Sequence, residues 1–195
     1  MSSTWFEGIQ LTNGVTWIQV AEPVGETSGL RDSSATKNSD LISNPEDRAL
    51  LFAMREQSDA ILVSAKTAIA EHYRPSKFAP IYVVDRKGTF TSTTEATPGR
   101  HAMKTLGSVE EVFERHPPTH SKILLESGRT MAKSLIADGL VTRAIVVVVT
   151  PVIQLAEKTL TSVTDYLNLD EYLVLETFAG KENTAFLLQL TSNFR

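Results

Sequence analysis

Residues 123–139 read ILLESGRTMAKSLIADG, and this stretch decides the fold class. Ile123 to Leu125 is a short apolar run, the mark of a buried strand. Glu126 ends it, Ser127 and Gly128 form a turn, and Thr130 to Asp138 predicts a helix with Gly139 as its natural stop. Residues 60–75, AILVSAKTAIAEHYRP, repeat the design. A buried strand over Ala60 to Val63 turns through Ser64-Ala65-Lys66-Thr67 into a short helix, Thr67 to Glu71, that Pro75 terminates.

Working outward, Val15 to Ala21, Ile81 to Val84 and Ala144 to Val149 read as further strands, the last ended by Pro151. Pro45 suits the first turn of a helix that Ser43 or Asn44 can cap, with Glu46 and Asp47 favourable near its start. That helix carries Ala49, Leu50, Ala53 and Met54 on one side. Val109 to Arg115 is helical and stops at Pro117-Pro118. Tyr172 to Phe178 and Thr184 to Leu190 form a closing pair around Gly180 and Asn183, a hairpin signal. Strands alternating with helices predict an α/β sheet with helices on its faces, and the hairpin makes that sheet mixed. Glu26 to Asn44 and Thr89 to Gly99 are polar and read as surface loops.

The 195 residues suit a single domain. A net charge of −4 and a pI near 5.6 argue against a nucleic-acid partner, since no basic stripe stands out. The absence of cysteine excludes disulfides, thiolate nucleophiles and cysteine-held metals. The longest apolar run, Ala144 to Val149, is too short to span a bilayer, and Met1 to Gln10 has no signal-peptide pattern. A cytoplasmic protein with no membrane partner is expected.

Three constellations could carry chemistry. Ser64 to Thr67 leads from a strand into a helix, where amides, the Thr67 hydroxyl and Lys66 could meet an anion; the plainer reading is a corner with a threonine cap. Glu126 to Thr130 repeats this at a second strand end, where Glu126 could bind a polar ligand or cap local amides. Arg48 and Arg55 flank the helix before the first corner and have the fork that suits phosphate, although Arg48 could instead pair with Glu46 or Asp47. Glycine-rich dinucleotide and phosphate loops and the G-x-S-x-G elbow are missing. His116 and His120 have helical spacing, but Pro117-Pro118 forbid the helix, so no metal site is expected. Asp165, Asp170 and Glu171 read as a solvated polar turn.

Ser43-Asn44-Pro45-Glu46-Asp47-Arg48, then Met54-Arg55-Glu56-Gln57-Ser58-Asp59-Ala60-Ile61-Leu62-Val63, resembles the pyrimidine reductases of riboflavin biosynthesis. The likeness continues at Thr67, Glu71 and Pro75, at Ile123 to Gly128, from Leu135 to Pro151, and over Asn183 to Leu190. It implies a dihydrofolate-reductase-like three-layer αβα fold with a mixed, mostly parallel sheet and a C-terminal antiparallel hairpin, in a homodimer. It also implies a single reductase-like domain over 1–195 without the fused zinc deaminase, whose metal needs cysteine. The implied reaction is NADPH-dependent reduction of the ribose of a small phosphorylated pyrimidine, 5-amino-6-(5-phosphoribosylamino)uracil or its equivalent, to a ribityl chain. By position, Arg55, Glu126 and Ser39 match substrate contacts. Leu41, Thr67, Glu71 and the run Gly128, Arg129, Thr130, Met131, Ala132, Lys133 and Ser134 match cofactor contacts, while no catalytic residue is singled out.

The chain also departs from the family's pattern. Glu22-Pro23-Val24-Gly25 replaces a Ser-Leu-Asp-Gly-like turn, Ser64-Ala65-Lys66-Thr67 replaces Gly-Ala-Gly-Thr, and Ser127 replaces a glycine. Phe78 occupies a basic position, and the interval from Val84 to Ile123 reads as short by a strand–helix unit. These changes leave an alternative open: a relative that binds a nucleotide without this turnover, or acts on another substrate.

Overall fold

The computed structural model describes residues 5–24, 43–91, 98–169 and 171–191. The chain runs β1 (Gly14–Ala21), α1 (Pro45–Gln57), β2 (Ala60–Ser64), α2 (Ala65–Ala70), β3 (Ile81–Val84), β4 (Met103–Leu106), α3 (Glu110–Arg115), β5 (Lys122–Leu125), α4 (Arg129–Ala137), β6 (Val141–Val148), α5 (Ile153–Leu167), β7 (Tyr172–Ala179) and β8 (Thr184–Leu190). Among the described residues, eight strands form one sheet in the order β4-β3-β2-β5-β1-β6-β8-β7. Every pairing from β4 to β6 is parallel, whereas β8 pairs antiparallel with both β6 and β7.

Alternation along the strands builds the layers. Val15 and Trp17 of β1, Leu62 of β2 and Val146 of β6 share a core with α3, α4 and α5. Ile18, Leu124 and Ile145 face the other way and meet Leu50 and Met54 of α1. Ile61, Val63, Ile81 and Val83 on that second side meet Ala65 and Ala68 at α2. The result is the expected αβα arrangement.

The helix ends follow their residues closely. Asn44 caps α1 by accepting from the amides of Glu46 at 2.9 Å and Asp47 at 3.1 Å, and the Asp47 carboxylate returns the contact to the Asn44 amide at 3.1 Å. Gly139 (φ +69°) ends α4, with Gly139 N–H donating to Ile136 and Leu140 N–H to Leu135, each at 2.9 Å. The start of α1 is also clasped to the β7–β8 turn. Asn44 and the fully buried Asn183 exchange amide hydrogen bonds, each 2.9 Å long. Glu46 accepts from the Lys181 and Glu182 amides, both at 3.0 Å. A Cβ on Gly180 would lie 2.5 Å from Glu46 Oε2, so the clasp itself demands glycine there.

Three sequence readings need correction. Ser64, not Thr67, caps α2; its hydroxyl accepts from the Thr67 amide at 3.2 Å, and the helix opens at Ala65. The interval from Val84 to Ile123 holds a complete strand–helix unit, β4 and α3. β4 was hard to read because it is a four-residue edge strand of which Met103 alone is buried. Asp165 lies inside α5 rather than in a turn. That helix escaped notice because its buried stripe includes Thr159 and Thr164, which dilute the apolar period. Asp170 lies outside the described residues.

Candidate functional site

β5 is inserted between β1 and β2, so the turns leaving β2 and β5 open side by side at the carboxyl edge of the sheet. Open α/β sheets bind ligands at such edges. A cleft lies there, lined on one wall by Thr67, Glu71, Tyr73, Glu126, Ser127 and Gly128, and on the other by Ser43, Asp47, Arg48 and Leu51 of the α1 region. Ile18, Gln19 and Val20 of β1 complete the lining.

Arg55 and Glu126, from elements far apart in sequence, meet as a buried ion pair. Arg55 Nε donates to Glu126 Oε1 at 2.7 Å and Nη2 to Oε2 at 2.5 Å. The side chains are 17% and 4% exposed, so the pair is shielded from solvent. Tyr73 Oη donates to the same Oε2 at 2.6 Å, and the Arg55 guanidinium lies 5.5 Å from the Tyr73 ring centre. Burial alone would lower the pKa of Arg55, but hydrogen bonds and charge from Glu126 reverse this and raise it. Burial, followed by the Glu126 charge, pushes the Tyr73 phenol well above its ordinary range. Tyr73 had no signal in the sequence, since a lone tyrosine after a short helix has no distinctive spacing.

The two turns touch through Thr67. Its hydroxyl lies 2.9 Å from Ser64 Oγ and accepts from the Gly128 amide at 3.3 Å. Among the described residues no side chain caps α4 at Gly128, and a helix start of this kind can offer amides to an acceptor. Trp17, fully buried beneath, donates from Nε1 to the Ser127 carbonyl at 2.9 Å and fixes the turn against β1.

The sequence-derived site residues fall into three groups. Thr67, Glu71, Glu126 and Gly128 line the cleft, with Arg55 held against Glu126. The α4 side chains serve other contacts. The Arg129 guanidinium sits 4.3 Å from the Tyr166 ring centre of α5, and Lys133 Nζ donates to the Tyr166 carbonyl at 2.8 Å. Ala132 is in the core, Ser127 Oγ contacts Met131 Sδ at 3.3 Å, and Thr130 and Ser134 are exposed. Ser39 and Leu41 lie outside the described residues. Of the departing positions, Lys66 is exposed at the start of α2. Phe78 stacks 6.0 Å from Phe52, and the Val24 amide donates to Thr159 of α5 at 2.9 Å. Among the described residues, no acidic, histidine or cysteine cluster could hold a metal ion, and no helix is long and apolar enough to cross a membrane.

The fold has solved counterparts. A Thermotoga maritima diaminohydroxyphosphoribosylaminopyrimidine deaminase/5-amino-6-(5-phosphoribosylamino)uracil reductase matches with a TM-score of 0.62 at 13% identity, over 91% of this chain and 56% of that one. Acinetobacter baumannii RibD gives 0.54 at 14%, over 91% and 58%. This chain thus spans a little over half the length of those two proteins. Enterococcus faecalis dihydrofolate reductase, solved with NADP(H), gives 0.56 at 10% identity, over 94% and 99%. These likenesses establish the dihydrofolate-reductase-like fold. No curated protein matches the sequence. Residues 31–170, most of the chain, match the family model for the RibD C-terminal domain. With its cleft at the predicted strand ends, this protein belongs to the RibD C-terminal domain family, a family of reductases.

Proposed function

We propose that the protein is an NADPH-dependent reductase acting on the ribose of 5-amino-6-(5-phosphoribosylamino)uracil or a close equivalent. The observation that carries this reading is the cleft itself. It joins an uncapped helix start at Gly128 to a buried, oriented carboxylate at Glu126. The residues present suit a dinucleotide. Gly128 has an ordinary φ of −59°, and an added Cβ would meet only Thr67 Oγ1, at 4.0 Å. The protein's own packing therefore does not require glycine there, whereas close approach of a phosphate would. Thr67, Glu71 and the first amides of α4 are the groups that would hold the cofactor. NADPH, when bound, supplies the hydride for the sugar carbon.

The chain's own task is to bind and orient. Glu126 accepts three hydrogen bonds from Arg55 and Tyr73, which leaves one of a carboxylate's roughly four acceptor sites for the substrate. Arg55 contributes by holding that carboxylate through its Nε–Nη2 edge. The second reading, nucleotide binding without turnover, draws support from the same pairing, which takes the Nε–Nη2 edge of Arg55 away from phosphate.

Quenching of Trp17 fluorescence by NADPH, followed by NADPH oxidation on adding the pyrimidine, tests both readings. Saturable quenching with turnover is expected. Quenching without turnover selects the second reading, and no quenching at millimolar cofactor defeats both. Glu126→Ala should weaken substrate binding more than cofactor binding. The proposal includes a cytoplasmic location and a homodimer. The dimer draws support from β7, an edge strand whose Leu173, Val174 and Leu175 are exposed and available to pair with a second copy. Light scattering of Leu173→Lys should show a smaller particle than the parent.

A further inference from the structure

A second cavity, of about 400 Å³, opens between the end of α2, the segment after β3 and the start of the edge strand β4. Tyr73 is the one lining residue it shares with the cleft, and none of its lining comes from α1, β1, β5 or α4. Both of its rims are pinned. After β3, Asp85 accepts from the Lys87 amide at 3.0 Å, the Phe90 amide at 2.6 Å and the Thr89 hydroxyl at 3.3 Å, which holds Phe90 at the cavity. On the other rim, Arg100 Nη1 donates to the Pro75 carbonyl at 2.9 Å, and the His101 amide donates to the Ser76 carbonyl at 2.7 Å. The opening is therefore shaped before any ligand arrives. His72 lines it at a cost to the fold. Its φ is +49°, in the left-handed region. The His72 amide donates to the Ile69 carbonyl at 3.3 Å and the Tyr73 amide to the Ala68 carbonyl at 3.0 Å. These are the paired bonds of a helix ending whose left-handed position usually belongs to glycine. This chain instead places an exposed imidazole there. Arg74, two residues on, is exposed and lines the same cavity. Among the described residues, no hydrogen bond or ion pair engages its guanidinium.

We propose that this cavity is a second binding site, for a small aromatic anion whose charged group meets Arg74 and His72 and whose ring lies against Phe90, Ile69 and Met103. The lining selects the class. Arg74 brings forked donors that suit a carboxylate or phosphate, and His72 adds a ring N–H. Phe90, Ile69 and Met103 supply apolar surface for a planar ring. A bare inorganic anion leaves that surface unused, and a neutral ring leaves the guanidinium unmatched. The acids close by in sequence do not compete. Glu71 lines the other cleft, and Asp85 is taken up by its own loop. Positive charge near the end of α2 is favourable in itself, but it does not require a side chain at the left-handed position. The site goes beyond the reductase reading and does not depend on it.

The test uses the full chain and three probes, 2-naphthoate, its neutral amide 2-naphthamide and inorganic phosphate, titrated separately by calorimetry. 2-Naphthoate should bind saturably, and more tightly than either of the others by roughly tenfold, the scale of one hydrogen bond between charged groups. Arg74→Gln should weaken naphthoate by roughly the same factor. His72→Gly should weaken it severalfold while raising the melting temperature by about 2–4 °C, because glycine relieves the left-handed backbone. A gain in stability joined to a loss of binding is a signature that a structural role for His72 does not produce. Quenching of Trp17 by NADPH should be unchanged in both variants. No binding of naphthoate by the parent overturns the proposal, as does equal binding of naphthoate and either other probe. Unchanged naphthoate binding in the two variants also overturns it. So does a fall in melting temperature for His72→Gly, which would make the histidine a support of the helix end. Displacement of naphthoate by NADPH would join the cavity to the cleft and overturn a separate site. If naphthoate binds through Arg74 and His72 while NADPH never quenches, the reductase reading falls and this site stands.

Discussion

The two walls of the cleft each hold a buried carboxylate, and the protein treats them differently. On the β5 side, Glu126 receives three donors and a full counter-charge. On the α1 side, Asp47 has two donors on one oxygen and none on the other among the described residues. A carboxylate satisfied within the protein holds structure together and presents a fixed edge. A carboxylate left half-satisfied contributes less to stability. Loss of the satisfied carboxylate should therefore cost more stability than loss of the half-satisfied one.

Breaking the satisfied wall gives the largest effect. Glu126→Ala strands the Arg55 cation in a buried site and should cost about 3–5 kcal/mol of stability in denaturant unfolding. Asp47→Ala should cost clearly less, and equal losses would erase the distinction. Tyr73→Phe removes one hydrogen bond to a charged acceptor and should cost about 1.5–3 kcal/mol. It should also abolish an alkaline signature. The folded pKa of Tyr73 is raised above its unfolded value, so the native state holds this proton after the unfolded state has released it. Its contribution is complete below the ordinary tyrosine range and is lost as pH rises above it. Spectrophotometric titration should show one late phenol that the variant lacks.

Asn44→Ala acts on the other wall, where it removes the cap of α1 and one partner of Asn183. A loss of about 1–2 kcal/mol is expected from the cap. The smallest effect is the pH slope of Asp47. Its folded pKa lies above the ordinary value of 3.8, so the native state binds the proton more tightly. Stability should fall as pH rises from that value into the raised range. Melting temperatures of Asp47→Asn across the acid range should be flatter than those of the parent, and an unchanged slope would place the titration elsewhere.

Much of the frame was legible because local rules and tertiary structure agree. Apolar runs such as Ala60–Ser64 and Val141–Val148 are nearly continuous because parallel strands are covered on both faces. Asn44, Pro45 and Gly139 mark helix ends by their own stereochemistry. The cleft was half legible. Strand–turn–helix corners announce where amides open, so Thr67, Glu126 and Gly128 could be found. Side-chain direction could not. Arg129 and Lys133 sit in the right run but reach to Tyr166, because α5 packs beside α4 and its ring draws both cations. Tyr73 and Asp47 were missed as cleft residues for a related reason. Their roles come from partners distant in sequence or from an unmet hydrogen bond, and neither leaves a periodic trace.

The clasp between Asn44 and Asn183 joins residues 139 positions apart. The wall bearing Asp47 is thus completed by a turn made long after α1 itself. Earlier in synthesis, the strands of the parallel half can already have emerged while α1 still lacks its anchor. Contacts of such separation form late in folding. A growing chain would therefore complete this wall only with the β7–β8 turn, together with Phe186, Leu187 and Leu188 of β8, which fill the hydrophobic layers on the two faces of the sheet.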